Sequence, residues 1–217
     1  MSNSCHSHWI AIPSICGPRL PEWVAAWQAN GWAVALYVDL GNRTRATADR
    51  VMEGRYTGYG AACNALAALL FGIEHADLVA FGGDDVWPDP AWPAARLAAR
   101  FAARFPGLDG IAQPGGGNMH DLDRCCIAPL VGAGWYARRH GPYCAEYFHF
   151  WCDTELHDLA DNDGKLEVWR DVNWTHDHWA VMGRPPPDHI AKARALNEQD
   201  HQLYLKRKAA GFPPPGA

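Results

Sequence analysis

The sequence predicts an α/β protein with a mixed, mainly parallel sheet flanked by helices. The first observation is that HWIAIPS (8–14) and WAVALYVD (32–39) are apolar with almost no alternation, which is typical of strands buried on both faces. The second is that a helical segment separates these two runs. A strand, a helix and a strand in this order form a crossover whose two strands are parallel.

The first helix is predicted in PEWVAAWQANG (21–31), because Trp23, Val24 and Trp27 share one helical face. A polar loop is expected at 41–60, and a second crossover follows it. The other predicted elements of the first half are helix 61–76, strand 77–83, helix 90–105 and strand 108–114.

The second half, from Gly115, has shorter apolar runs and more glycine and aromatic residues. We expect it to hold a substrate or acceptor site instead of extending the sheet. Its predicted elements are helices at 134–141 and 150–164, a strand at 165–172 and a C-terminal helix at 188–212. The 217 residues are predicted to form one domain with three parts, 1–114, 115–184 and 185–217.

Composition argues against several classes of protein. The net charge of -5 gives no overall attraction for nucleic acid. Seven cysteines, an odd number without C-x-x-C spacing, favour reduced thiols over a disulfide framework. No apolar run reaches the ~20 residues that cross a bilayer, and the start of the chain lacks a signal-peptide pattern, so we expect a soluble cytoplasmic protein.

Two adjacent carboxylates, Asp84 and Asp85, follow the predicted strand. In open α/β sheets, ligands bind beyond the carboxyl ends of the strands. Two neighbouring carboxylates repel each other, and a divalent cation, Mg²⁺ or Mn²⁺, is the simplest compensation. The alternative is an ordinary acidic turn, in which Asp84 caps the backbone and Asp85 faces water.

A second acidic cluster lies in FWCDTELHD (150–158). Asp153 is flanked by Phe150 and Trp151, and partial desolvation there would raise its pKa toward the range of a general base. Glu155 lies on another face of the presumed helix. The alternative is that Asp153 caps the start of that helix.

Two histidines lie two residues apart in VNWTHDHW (172–179). In an extended segment, His176 and His178 point the same way. One imidazole could complete the coordination of a metal held by Asp85. The alternative is a purely structural role.

The order of these pieces resembles that of the GT-A-fold glycosyltransferases, in particular small, soluble, family 2-like and phage-encoded enzymes. The pieces, spread over residues 8–180, are YVDLGN, GYGAACNALAALL, AFGGDDVWP, YFHFWCDTELHDLADNDGKL and THDHW. The resemblance implies that 1–114 binds a nucleotide-diphosphate sugar donor and that 115–184 holds the acceptor and the catalytic base. It also implies an Mn²⁺ or Mg²⁺ cofactor and an inverting transfer to an acceptor hydroxyl.

On the donor side, the resemblance implies that Asp39 lies near the nucleobase. Asn64 is in a position where family members often have an Arg-Asn pair, but Cys63 stands here in place of the arginine. The basic contact is therefore expected from the preceding loop, at Arg43, Arg45 or Arg55.

At the acidic turn, the resemblance implies that Asp84 reaches the ribose or a metal-bound water and that Asp85 binds the metal. Gly83 stands where the family often has a further acidic residue. Late in the chain, His176 or His178 resembles the ligand of the metal or of the diphosphate.

On the acceptor side, Asp153 resembles the catalytic base of inverting members, with Glu155 as the alternate. The acceptor stays open among a glycan, a small molecule, a protein and a modified DNA base. Three other functions stay open: a nucleotidyltransferase, a non-catalytic sugar- or nucleotide-binding protein, and a zinc protein using Cys125, Cys126, His120 and His176.

Overall fold

The apolar runs of the sequence meet in one central sheet. The computed structural model describes residues 7–42, 46–178, 183, 185 and 188–213. The described strands are β1 (His8–Ser14), β2 (Ala33–Asp39), β3 (Arg50–Gly54), β4 (Leu78–Phe81), β5 (Val86–Trp87), β6 (Ile111–Pro114), β7 (Leu130–Gly132), β8 (Leu166–Trp169) and β9 (Thr175–His176). The described α-helices are α1 (Leu20–Ala29), α2 (Tyr59–Gly72), α3 (Ala94–Arg104), α4 (Ala133–Arg139), α5 (Cys152–Asn162), α6 (Asp188–Ala195) and α7 (Asn197–Ala209).

Seven described strands form the main sheet in the order β3-β2-β1-β4-β7-β6-β8, and β5 pairs with β9 in a separate two-stranded sheet. Within the main sheet, β7 runs antiparallel to β4 and β6. The pairs β1–β2, β1–β4, β2–β3 and β6–β8 are parallel. This confirms the predicted α/β class with a mixed, mainly parallel sheet.

Helices cover both faces of the sheet. Ile10 and Ile12 of β1 pack in the same cluster as residues of α1 and α3. Trp9 and Ala11, which alternate with them, pack in a second cluster with residues of α2, α5 and α7. Because successive side chains of a strand point to opposite faces, β1 is apolar at every position that meets a helix layer.

The structure corrects the expectation of a polar loop at 41–60, because β3 lies within it and forms one edge of the sheet. Arg50, Val51 and Glu53 of β3 are exposed. A strand with charged, solvent-facing positions has no continuous apolar run, so the sequence pattern did not distinguish it from a loop.

The expectation that the second half would not extend the sheet is also wrong. β7 inserts between β4 and β6, and β8 forms the edge opposite β3. β7 has three residues, too few to show a period, although all three are buried. The predicted C-terminal helix is in fact two helices, α6 and α7, with Leu196 between them.

In the described part of the chain, no helix is long and apolar enough to span a membrane. The division of the chain into 1–114, 115–184 and 185–217 as parts of one domain stays a prediction, and the main sheet takes strands from the first two of these parts.

Candidate functional site

The strand order of the main sheet reverses between β1 and β4. From β1 the chain proceeds to β2 and β3 on one side, whereas β4 lies on the other side of β1. Crevices at such switch points are the usual ligand sites of open α/β sheets. Ser14 ends β1, and its Oγ donates to Oδ2 of Asp84 at 2.9 Å, so Asp84 lies at the switch point.

Asp85 is held in a tight turn between β4 and β5. The backbone N–H of Val86 donates to the carbonyl of Gly83 at 3.2 Å. A Cβ atom at position 83 would lie 2.5 Å from Oδ1 of Asp85. A side chain at Gly83, including the further carboxylate that the family resemblance implies, would therefore displace the Asp85 carboxylate.

Two tryptophans of α1 hold this turn through hydrogen bonds to its backbone. The indole N–H groups of Trp23 and Trp27 both donate to the carbonyl of Val86, at 2.6 and 3.1 Å. Both side chains are fully buried. The face of α1 that the sequence marked as apolar thus also fixes the backbone directly after Asp85.

The pairing of β5 with β9 brings the late histidines to the acidic turn. Val86 is in register with His176, and the N–H of Asp177 donates to the carbonyl of Asp85 at 2.7 Å. Nε2 of His176 lies 3.3 Å from Oδ2 of Asp85. The ring of His178 lies next to that of His176, with 5.0 Å between the two ring centroids.

A third histidine, His120, joins this group. Its ring is nearly parallel to that of His176, at 9°, with centroids 5.7 Å apart, and lies 5.8 Å from that of His178. The side chain of Asn118 bonds the backbone N–H and carbonyl of His176 at 2.6 and 2.8 Å. We call Asp84, Asp85, His120, His176 and His178 the histidine corner.

The glycine run at 115–117 explains how His120 reaches the corner. The N–H of Gly116 donates to the carbonyl of Val172 at 2.9 Å. A Cβ atom at Gly116 or Gly117 would collide with the segment 172–174. The run GGG was thus the sequence signal for a close approach to the segment that leads into β9, whereas His120 was predicted only as a ligand in the zinc alternative.

Two side chains of the corner have shifted pKa values. Burial raises the pKa of Asp85, but the hydrogen bond to His176 and the charges of His176 and His178 outweigh it, so its pKa lies below the ordinary value. The pKa of His178 is lowered, because burial and the neighbouring His176 both disfavour its charged form. Asp85 is therefore ionised at neutral pH, and His178 is a neutral imidazole.

Whether these residues fit a divalent cation depends on their donor atoms. In the described part of the chain, Nδ1 of His120 and of His176 are buried without a hydrogen-bond partner. Among the described residues, no group of three or more His, Cys, Asp or Glu side chains is placed so that it could hold a metal ion. The ionised Asp85 with His176 fits an ion held by few protein donors, which is how Mg²⁺ is commonly shared with substrate phosphates.

The second acidic cluster lies at the start of α5. The residue in the cap position is Trp151, and Asp153 lies in the first turn, where its Oδ1 accepts the backbone N–H of Thr154 at 2.9 Å. Burial raises the pKa of Asp153 above its ordinary value and outweighs the hydrogen bonds from Thr154 and from its own backbone, which lower it. A carboxylate of this kind takes up a proton more readily than an exposed one.

Asp153 lines an open pocket of about 260 Å³ that we call the Asp153 pocket. Its lining residues are Asp121, Arg124, Cys125, Phe150, Trp151, Asp153, Thr154 and Asn197. The loop between β6 and β7 contributes residues to both the histidine corner and the Asp153 pocket. His120 belongs to the corner, and the adjacent Asp121 lines the pocket.

Glu155, the predicted alternate base, is almost fully buried. Arg207 of α7 donates to both of its carboxylate oxygens at 2.8 Å. The hydroxyl of Tyr147 donates to the same group at 2.8 Å. Its oxygens are thus occupied in joining α5 to α7.

The other predicted donor residues lie at different places. Asp39 is exposed at the end of β2 and accepts the backbone N–H groups of Leu40 and Tyr56, at 3.0 and 2.8 Å. Asn64 bonds the backbone carbonyl and N–H of Tyr143 at 2.7 and 3.2 Å. Arg43 and Arg45 lie outside the described residues.

Comparison with known proteins shows the fold. No protein-family model matches the sequence, and no curated protein matches it. The 1–349 fragment of S. aureus TarS in complex with UDP has a TM-score of 0.55 at 11% identity, over 77% of this chain and 59% of that one. Its complex with UDP-GlcNAc gives the same TM-score of 0.55 at 11% identity, over 77% and 57% of the two chains.

A Drosophila beta-1,4-galactosyltransferase 7 variant, in complex with manganese, UDP-Gal and xylobiose, has a TM-score of 0.47 at 15% identity, over 86% of this chain and 79% of that one. This chain spans less than two thirds of the length of the TarS fragment. Because the two sequences are only 11% identical, the similarity to TarS establishes the architecture alone, which is a GT-A-like sheet flanked by helices.

Proposed function

We propose that this chain is a metal-dependent glycosyltransferase that moves a sugar from a nucleotide-diphosphate sugar to an acceptor hydroxyl with inversion. The observation that carries the proposal is the contact of His176 with Asp85, at 3.3 Å, at the switch point of the sheet. TarS, which shares the architecture, has been crystallised with UDP and with UDP-GlcNAc. We further expect the protein to act in the cytoplasm.

The histidine corner is the proposed donor site. Asp85 and His176, with His178 beside them, would hold Mn²⁺ or Mg²⁺, which would offset the charge that grows on the departing diphosphate. Asp84, held by Ser14, would accept hydrogen bonds from ribose hydroxyls or from water near the ion. Asp39 would lie at the nucleobase.

The remaining donor-side residues have supporting roles in the proposal. Asn64, which bonds the backbone of Tyr143, would fix the wall of the donor site. Arg43 or Arg45 would supply the basic contact to the phosphates. Gly83 would leave the space that the carboxylate of Asp85 needs.

Asp153 is the proposed general base. Its carboxylate would take the proton of the acceptor hydroxyl while the acceptor oxygen bonds to the anomeric carbon and the bond to the diphosphate breaks on the opposite face. The raised pKa of Asp153 suits this transfer. Glu155 is left out of the chemistry, because Arg207 and Tyr147 occupy its oxygens.

A panel of nucleoside diphosphates and nucleotide sugars, with and without Mn²⁺, tests the proposal by thermal shift. We expect at least one nucleotide to raise the melting temperature only when Mn²⁺ is present. The matched control is Asp123→Asn, which changes a carboxylate that is 85% exposed and pairs with Arg170, and which should leave the shift unchanged. A protein that no nucleotide stabilises in the presence of Mn²⁺ would contradict the proposal.

A further inference from the structure

We infer that the Asp153 pocket takes a neutral sugar as the acceptor, with the indole of Trp151 as the surface on which the sugar ring lies. The inference rests on the proposed function and names its acceptor class. It starts from Trp151, which is half-buried and lines the pocket beside Asp153.

Trp151 is held in a conformation that bulky residues rarely adopt. Its φ of 69° lies in the left-handed region, where a large side chain is strained unless its surroundings fix it. The indole N–H donates to Oδ1 of Asn197 at 3.1 Å. The ring stacks on His201, with centroids 4.2 Å apart and an angle of 17° between the planes.

Helix α7 also fixes the backbone that leads to Trp151. Asp200 is buried, and its carboxylate accepts the N–H groups of Phe148, His149 and Phe150, each at 3.0 Å. Three hydrogen bonds to one charged group form a strong anchor. The plane and the position of the indole are therefore set before any ligand arrives, which lowers the entropic cost of binding.

The polar groups of the pocket favour a neutral, hydroxyl-rich ligand. Asp121 and Asp153 offer carboxylate oxygens, which accept hydrogen bonds from hydroxyl groups. Among the described lining residues, Arg124 is the one basic side chain. An anionic acceptor, such as a nucleic acid or a uronic acid, would meet two carboxylates and one guanidinium.

The sequence has two short basic clusters, at 137–139 and 206–208, and each contains side chains that pair with carboxylates of the protein. Arg138 and Arg139 pair with Asp163 at 2.7 and 2.8 Å. Lys208 pairs with Asp158 at 2.7 Å. An aromatic ring binds bases as well as sugars, so the charge of the surroundings decides between them, and here it favours the sugar.

The test measures ligand binding to the protein loaded with Mn²⁺ and the nucleoside diphosphate that stabilises it. The probes are neutral methyl pyranosides, methyl glucuronide and a single-stranded oligodeoxynucleotide, observed by saturation-transfer NMR and titration. The variants are Trp151→Phe and Asn197→Ala, and the matched control is Trp92→Phe at another half-buried tryptophan.

We expect at least one neutral pyranoside to bind, and we expect the protons of its sugar ring to receive the strongest saturation transfer, because the ring lies on an aromatic side chain. Trp151→Phe should weaken its binding about fivefold and Asn197→Ala about threefold, whereas Trp92→Phe should leave it unchanged. Asn197→Ala keeps the indole, so it tests the position of the ring without removing the ring.

Three results would overturn the assignment: preference for the oligonucleotide or the glucuronide, pyranoside binding that does not change in Trp151→Phe, or no pyranoside binding. If the nucleotide still binds in an Mn²⁺-dependent way, any of these refutes the acceptor class alone. If no nucleotide binds, the proposed function fails, and the acceptor class fails with it.

Discussion

The histidine corner and the Asp153 pocket both depend on an aspartate, but their surroundings have opposite effects on it. The pKa of Asp85 is lowered, because the contacts with His176 and His178 outweigh its burial. The pKa of Asp153 is raised by burial, with Asp121 nearby. The proposed function requires one carboxylate that stays ionised beside a cation and one that accepts a proton, and the opposite pKa shifts suit these two roles.

The two places also differ in how they are supported. The corner is held by the sheet and by buried tryptophans of α1, which donate hydrogen bonds to the carbonyl of Val86. The pocket is held by α7, through the hydrogen bonds to Asp200 and the ion pair of Arg207 with Glu155. The loop between β6 and β7 joins the two places through His120 and Asp121, but Asp85 and Asp153 have separate supports, so a change at either aspartate should leave the other place intact.

The largest effect is expected for Asp153→Asn. An amide cannot take the proton of the acceptor, so turnover should fall by about 10²–10⁴-fold. Binding of the nucleotide and Mn²⁺ should be unchanged, because Asp153 belongs to the pocket and not to the corner. Steady-state kinetics with a donor binding titration checks both parts, and an equal loss of binding would break the separation.

Arg207→Met should give the largest loss of stability. It leaves Glu155 buried without its cation, and breaking a buried ion pair costs about 3–5 kcal/mol of unfolding free energy. The matched control is Lys208→Met on the same helix, whose exposed pair with Asp158 is worth about 0–1 kcal/mol. Urea denaturation of both variants measures the difference, and equal losses would show that the Glu155 pair does not carry the contact of α5 with α7.

The raised pKa of Asp153 predicts the pH dependence of activity. The base must be ionised, so kcat/KM should fall as the pH drops through a value above the ordinary aspartate pKa of 3.8. Between the ordinary and the raised pKa, the folded chain binds more protons at this group than the unfolded chain does. This contribution to stability therefore falls as the pH rises, and Asp153→Asn should raise the melting temperature at neutral pH.

A pH–rate profile and a melting curve of Asp153→Asn measure these two effects. An acid limb at the ordinary aspartate value, or a lower melting temperature in the variant, would contradict the assignment of a desolvated base.

The smallest effect is expected at Gly83. In Gly83→Ala the new methyl group would press on Oδ1 of Asp85, and we expect Mn²⁺ affinity to fall about threefold to tenfold, or about 1 kcal/mol. Gly72→Ala is the matched control, since a Cβ atom there has nothing within 4 Å. Titration of Mn²⁺ should separate the two variants, and equal affinities would show that the carboxylate of Asp85 moves without cost.

The strand ends at the corner were predictable from the sequence, because the apolar runs that form these strands are local patterns. Apolar runs located β1, β2 and β4, and a strand end followed by two carboxylates indicated a ligand site. The pocket was less predictable. The support of Trp151 comes from α7, about 50 residues further along the chain, and no periodic pattern reports such a contact. The role of His120 at the corner was missed for the same reason, because Asn118 and the glycine run bring it to a strand over 50 residues away.

The most direct test compares nucleotide binding to Asp85→Asn and Asp153→Asn by calorimetry with and without Mn²⁺. The account predicts that Asp85→Asn loses the Mn²⁺-dependent part of binding, whereas Asp153→Asn keeps it in full. Wild-type binding that does not depend on Mn²⁺, or an equal loss in both variants, would contradict the division of the site into a metal corner and a base pocket.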